Sequence, residues 1–320
     1  MLAVIKYLVP LLLFTAHAWS ANQRIAQHQG LDADNISAMM FDHQGFMWIG
    51  SQEGLFFYDG AQLEKFEPDV TDSGSIAALD IRNLYLSRDN RIWVSTNSGG
   101  LSRFNPETHS FINYRHDSDD TNSLSNDSVY DVVDGPDGNL WIATQIGLNR
   151  LKPATGEIKR FYKQDNIVGS LPANYVYKLF MDSNRRLWVG TIGGGLSYWA
   201  DEHRGFIPIP LPNGAVDVFS IAEQTGEYLW VGTRQGLFKV NLSDLTVKRV
   251  ELGLKNQQEP MIISLHLEDQ LLLVGTYAHG LQFYDTEIGR VQSVPQLKTQ
   301  NKETVTAIIK NQSGQLCYAT

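Results

Sequence analysis

The sequence predicts an all-β protein, a β-propeller of four-stranded blades that is seven-bladed, with the seventh blade incomplete in this chain. Three observations predict it. A short motif of the type Leu-Trp-Val-Gly-Thr recurs seven times at a near-constant step. A Gly-Leu pair follows it in the first six copies, and an aliphatic residue or Met precedes every copy by twelve positions. Repeats of this length that each hold four short extended runs are the signature of propeller blades.

The anchors are Trp48, Trp93, Trp141, Trp188, Trp230, Leu273 and Cys317, at steps of 45, 48, 47, 42, 43 and 44 residues. The first run of each unit begins at Ile36, Ile81, Val129, Val176, Val218, Met261 or Val305. A polar turn such as Pro136-Asp137-Gly138-Asn139 leads to the second run, which contains the anchor and is rich in β formers. A Thr-x-x-Gly turn then leads to a third run opening on Gly-Leu, as at Gly100-Leu101 and Gly195-Leu196. Turns such as Lys152-Pro153-Ala154-Thr155-Gly156 lead to a fourth. Period-two alternation excludes a helical repeat, and a β-helix has much shorter coils.

Alternation along the second run puts Trp and Gly on one sheet face and Leu and Val on the other. Both faces of a blade meet neighbours, so both are apolar. The Trp residues are read as packing groups between blades, and the Gly as room for close approach of the next blade. Because strands alternate in direction, the second-to-third turns and the blade-to-blade connections share one end of the ring.

Residues 1–20 differ from the rest. Lys6 is their only charge, residues 7–14 are an apolar run broken by Pro10, and Ala16-His17-Ala18 supplies a small-x-small cleavage pattern. This predicts a secretory signal peptide cleaved after Ala18 or Ser20, and a periplasmic propeller over 21–320. Residues 24–28 sit where a fourth strand sits in other repeats, and are expected to complete the last blade. The chain carries a formal charge of −9, which disfavours nucleic acid as a partner. Cys317 is the only cysteine, so no intrachain disulfide is possible.

The segments "DHQGFMWIGSQEGLFFYDG" and "GPDGNLWIATQIGLNRL" resemble two-component regulator propeller repeats. The resemblance extends over about residues 24–320, with Leu273 and Cys317 departing from the Trp position. It implies the extracytoplasmic part of a membrane sensor, anchored by a downstream helix, with a homodimer as an expected state of the full receptor. The output would be a histidine kinase or, in other relatives, a diguanylate cyclase, and would lie in a missing C-terminal part.

No nucleophile elbow, Walker A loop, zincin helix or Cys-pair metal motif is present, so no catalytic residue, metal or cofactor is assigned. Asp117-Ser118-Asp119-Asp120-Thr121-Asn122 is acidic but lacks the Gly and distal Glu of an EF-hand loop. The candidate ligand-binding residues are those that vary on the second-to-third turns: Gln52, Glu53, Asn97, Gln145, Arg234, Tyr277 and His279, with loop 115–128 beside them. Arg234 suits an anionic or saccharide ligand. The expected partner is a small molecule, a saccharide or a periplasmic protein. A secreted lyase or glycosidase and a protein-interaction scaffold are the competing classes. An enzyme would need paired carboxylates, and Glu53 is the only acid among these turn residues.

Overall fold

The computed structural model describes residues 36–254, 259–292, 304–310 and 316–319. Each of the first six repeats forms one four-stranded antiparallel sheet with its strands in chain order. Blade one is β1 (Ile36–Phe41), β2 (Met47–Ser51), β3 (Gly54–Tyr58) and β4 (Leu63–Phe66). Blade two is β5 (Ile81–Leu86), β6 (Ile92–Thr96), β7 (Leu101–Asn105) and β8 (Ser110–Tyr114). Blade three is β9 (Val129–Asp134), β10 (Leu140–Thr144), β11 (Gly147–Lys152) and β12 (Glu157–Phe161). Blade four is β13 (Val176–Met181), β14 (Leu187–Thr191), β15 (Gly195–Asp201) and β16 (Gly205–Ile209). Blade five is β17 (Val218–Gln224), β18 (Tyr228–Thr233), β19 (Gly236–Asn241) and β20 (Val247–Val250). Blade six is β21 (Ile262–Glu268), β22 (Leu271–Thr276), β23 (Leu281–Asp285) and β24 (Arg290–Gln292).

Where a seventh blade is expected, the described residues form a two-stranded sheet, β25 (Ala307–Lys310) and β26 (Leu316–Ala319). The innermost strands touch in succession, and β25 packs against both β21 and β1, which closes the ring around its axis. Six four-stranded blades are therefore present, and the seventh sheet has two described strands. The predicted signal peptide and the strand expected at 24–28 lie outside the described residues. Among the described residues, no helix is long and apolar enough to cross a membrane.

The core lies between the blades. Trp48 packs with Ile81, Leu84 and Phe104 of blade two, and Trp93 with Val129, Leu140 and Leu151 of blade three. Trp141, Trp188 and Trp230 repeat this against blades four, five and six. Leu273 does the same against Val305. Two residues after the anchor stands a small residue whose neighbour is the aliphatic group that opens the next blade. A Cβ on Gly50 would lie 2.5 Å from Ile81 Cγ2, and on Gly190 2.6 Å from Val218 Cγ1. Gly232 stands in the same relation to Ile262, at 2.7 Å. The aliphatic residues Ile81, Val129, Val176, Val218, Ile262 and Val305 are all 0% exposed.

The pairing corrects the predicted frame of the sixth unit. Ile262, not Met261, pairs with the closing Thr276, as Val218 pairs with Thr233. The β21–β22 hairpin is one residue shorter than the others, so counting back from Leu273 overshoots by one.

Most anchor indoles have a polar partner six residues upstream. Trp48 Nε1 donates to Asp42 Oδ2 at 3.0 Å, Trp188 Nε1 to Asp182 Oδ2 at 2.9 Å, Trp230 Nε1 to Gln224 Oε1 at 3.0 Å and Trp93 Nε1 to Ser87 Oγ at 3.3 Å. The second carboxylate oxygen of Asp42 and Asp182 accepts a backbone amide of the first turn, from Phe46 and Arg186 respectively. One buried acid thus closes the turn and orients the indole. In blade six the anchor is Leu273, which has no indole to orient, and with the shorter hairpin the matching upstream position is Glu268, which pairs with Lys310 instead.

At the other end of the second strand a hydroxyl closes every turn. Ser51 and Thr96, Thr144, Thr191, Thr233 and Thr276 each donate to the carbonyl of the glycine that opens or immediately precedes the third strand. The long connections after blades one, two and three also repeat. Ser75, Ser123 and Ser170 each donate to the carbonyl six residues upstream and precede a buried Ile76, Leu124 or Leu171. These loops lie on the outer strand of the next blade: Phe111, Ile158 and Phe206 amides bond to Gly74, Asn122 and Gly169. They cover sheet edges that would otherwise be open.

Trp188→Ala is expected to cost ~3–5 kcal/mol by leaving an inter-blade cavity, and Asp182→Ala about 1.5–3 kcal/mol by removing charge-assisted bonds. Denaturant unfolding of both and of the double variant checks the pairing: the double loss falls short of the sum.

Candidate functional site

In each of the six blades the innermost strand gains one residue relative to its partner, just after the aliphatic residue that opens it, which is buried in blades two to six and half-buried in blade one. The register breaks between Ile81 and Asn83, Val176 and Lys178, and Val218 and Ser220, with matching breaks in the other three blades. The extra residues are Ser37, Arg82, Tyr130, Tyr177, Phe219 and Ile263. The preceding aliphatic side chain is held between blades, so the bulged residue is turned toward the axis. All six line an axial cavity of about 460 Å³, a size that suits a small ligand.

Blades two to five make one side of this cavity's mouth aromatic and basic. Tyr175, which precedes the buried Val176, donates its hydroxyl to Tyr130 Oη at 2.6 Å. The Tyr130 ring lies 5.0 Å from Tyr175 and 5.2 Å from Tyr177, and Tyr177 meets Phe219 edge-on at 5.3 Å. The Arg82 guanidinium lies 5.4 Å from the Tyr130 ring centroid and donates from Nε and Nη2 to Asn97 Oδ1, at 3.2 and 2.8 Å. The Arg234 guanidinium lies 5.8 Å from the Phe219 ring and pairs with Asp217 at 2.6 Å. Burial pushes the phenols of Tyr175 and Tyr177 above their ordinary value, and the nearby Arg82 charge opposes that rise.

Further along the channel, Asp131 ties three blades together. It accepts from Asn83 Nδ2 at 2.6 Å and from the Leu179 amide at 2.9 Å, and pairs with Lys178 Nζ at 2.7 Å. The carboxylate is buried and fully partnered, so this group holds the wall rather than offering a free acid or base.

The residues predicted from the turns divide into two sets. Asn97 and Arg234 join the mouth cluster through Arg82, Asp217 and Phe219. Gln52, Glu53 and Gln145 are exposed on their turns, and Tyr277 is 55% exposed. The ring of His279 bonds to the Tyr277 carbonyl at 2.9 Å. None of the seven lines the axial cavity itself. Loop 115–128 turns away from the axis over most of its length. Arg160 of β12 binds the carbonyls of Asp117, Asp120 and Ser123, and the Asp117 and Asp120 carboxylates cap backbone amides within the loop.

Arg82, Tyr130, Tyr175, Tyr177 and Phe219 were not singled out from the sequence. The signal was present: the position after the constant aliphatic residue varies from Ser37 to Phe219 while the framework repeats.

Residues 30–53, 123–145 and 170–193 match the model of the two component regulator propeller family. These three segments are similar to the repeats of that family. A histidine kinase of Formosa agariphila is 29% identical over 289 residues, which is 84% of this chain and 20% of that kinase. The chain thus spans a fifth of that relative's length. In fold it is similar to the extracellular domain of a putative hybrid two component system from B. thetaiotaomicron, with TM-score 0.76 and 24% identity over 91% of this chain and 39% of that one. It is also similar to virginiamycin B lyase from Staphylococcus aureus, with TM-score 0.65 and 14% identity over 87% of this chain and 89% of the lyase.

Tyr175 and Tyr177 stay neutral as pH passes the ordinary phenol value of about 10. Unfolded phenols ionise first, so the stability is full below about pH 10 and falls as pH rises through the native values. Melting between about pH 9 and pH 11 checks this, and Tyr177→Phe gives a shallower decline than the wild type.

Proposed function

We propose that this propeller is the periplasmic ligand-sensing part of a membrane-anchored signal-transduction receptor. The mouth of its axis holds a small molecule, and an output domain elsewhere in the receptor makes the response. The observation that carries the reading is the ring of bulged side chains. Six blades share one framework, yet the residue each delivers to the axis differs, and four consecutive blades deliver Arg82, Tyr130, Tyr177 and Phe219 to one side. Varied groups on a repeated scaffold, around a cavity of ligand size, are the features of a recognition site.

The similarity to a histidine kinase supports an output of that type over a diguanylate cyclase. The similarity to an extracellular receptor domain supports a location outside the cytoplasm. No pair of unpartnered carboxylates lines the cavity among the described residues, and its buried acid Asp131 is bonded on both oxygens, which disfavours a glycosidase.

A thermal-shift screen of small metabolites against the wild type and Phe219→Ala tests the site. A ligand at about 100 times its Kd adds about 2.7 kcal/mol of stability. Compounds that raise the melting temperature of the wild type are expected to lose that effect in the variant. Compounds that stabilise both proteins equally would place the ligand elsewhere.

A further inference from the structure

We infer that the ligand at this mouth is an aromatic carboxylate, with the Arg82 guanidinium taking its charge. The inference rests on the mouth being the ligand site and adds the chemistry of what it takes. Three cations stand at or near the axis, and two are neutralised: Arg234 by Asp217 and Lys178 by Asp131. Arg82 is different. Its partner is the neutral amide oxygen of Asn97, and among the described residues no carboxylate pairs with it.

The way Arg82 is held decides what it can bind. Asn97 takes the Nε and Nη2 side of the guanidinium, and the Tyr130 ring lies beside its plane. The outer pair of amino groups, Nη1 and Nη2, is left as a planar fork. Such a fork matches the two oxygens of a carboxylate. The charge is already oriented before a ligand arrives, so little side-chain freedom is lost on binding.

The rest of the mouth favours an aromatic ring over a polyhydroxylated one. Tyr130, Tyr175, Tyr177 and Phe219 already meet one another tilted or edge-on at 5.0 to 6.4 Å. A further ring extends that pattern. A sugar would need a polar partner for each hydroxyl, and most polar groups here are engaged with each other, while Ser220 Oγ on the cavity wall has no hydrogen-bond partner. Tyr175 is bonded to Tyr130, Asp217 to Arg234 and to the Gly193 amide, and Asn97 to Arg82. Hydroxyls left unpaired on desolvation would weaken binding.

Calorimetric titration of the full chain tests this, with benzoate, its neutral isostere benzamide, and glucuronate as probes. Benzoate is expected to bind at least tenfold more tightly than either of the others. Arg82→Gln, checked to melt at the wild-type temperature, weakens benzoate at least tenfold and leaves benzamide unchanged. Arg82→Lys keeps the charge without the fork and recovers only part of the loss. Phe219→Ala weakens benzoate and benzamide together. Equal binding of benzoate and benzamide, glucuronate binding best, no benzoate binding, or an Arg82→Gln variant that binds benzoate normally would each overturn the inference. If metabolites found in the thermal screen depend on Phe219 while benzoate ignores Arg82, only the ligand class is wrong. If nothing depends on Phe219, the mouth is not the site.

Discussion

The contact between a small residue on the second strand and the aliphatic residue opening the next blade sets the spacing of the whole ring. At Gly50, Gly190 and Gly232 there is no room for a Cβ, because Ile81, Val218 and Ile262 occupy that space. Blade three uses Ala143 at the same position, against Val176, and both are fully buried. The aliphatic group cannot move outward without opening the interface beneath the anchor Trp. It cannot move inward without leaving a void in a close-packed core. Stability in this fold is therefore a chain of nearest-neighbour contacts, each blade bound to the next. The same contact seats Val305 on blade six, where Ser264 donates to the Val305 carbonyl at 2.9 Å.

This contact also produces the site. With the aliphatic residue fixed between blades and the rest of the inner strand paired with the second strand, one residue is left without a partner. It becomes the bulge, and its side chain faces the axis. The framework decides where that side chain goes, and nothing in the framework decides which side chain it is. The repeat can thus vary Ser37, Arg82, Tyr130, Tyr177, Phe219 and Ile263 at little cost to the fold. The polar groups behind them are tied down by bonds that cross blades, as Asp131 links Asn83, Lys178 and Leu179. The mouth is therefore rigid, which favours recognition of a small rigid ligand over an adaptable one.

Much of this was legible in the sequence, because the fold is written in repeated residue types. The anchor Trp residues, the adjoining glycines and the Thr–Gly turns gave the blades, their order and the packing role of Trp. What escaped was whatever depends on register rather than on residue type. A bulge adds a residue without any mark of its own, so Arg82, Tyr130, Tyr177 and Phe219 read as ordinary strand positions. A hairpin shorter by one residue moved the sixth buried aliphatic from Met261 to Ile262. The turn residues were easier to see, yet only Asn97 and Arg234 reach the mouth, since these turns project from the rim. The long connections looked variable, but Ser75, Ser123 and Ser170 shape them alike as covers for outer strands.

A double-mutant cycle on Gly190 and Val218 tests the central constraint most directly. Gly190→Ala places a Cβ 2.6 Å from Val218 Cγ1, and overpacking of this kind costs about 1–3 kcal/mol. Val218→Ala alone is also destabilising, through the cavity it leaves. The account predicts that the double variant is more stable than the sum of the two losses by at least about 1 kcal/mol, measured by denaturant unfolding. Additive losses, or a Gly190→Ala variant as stable as the wild type, would contradict it.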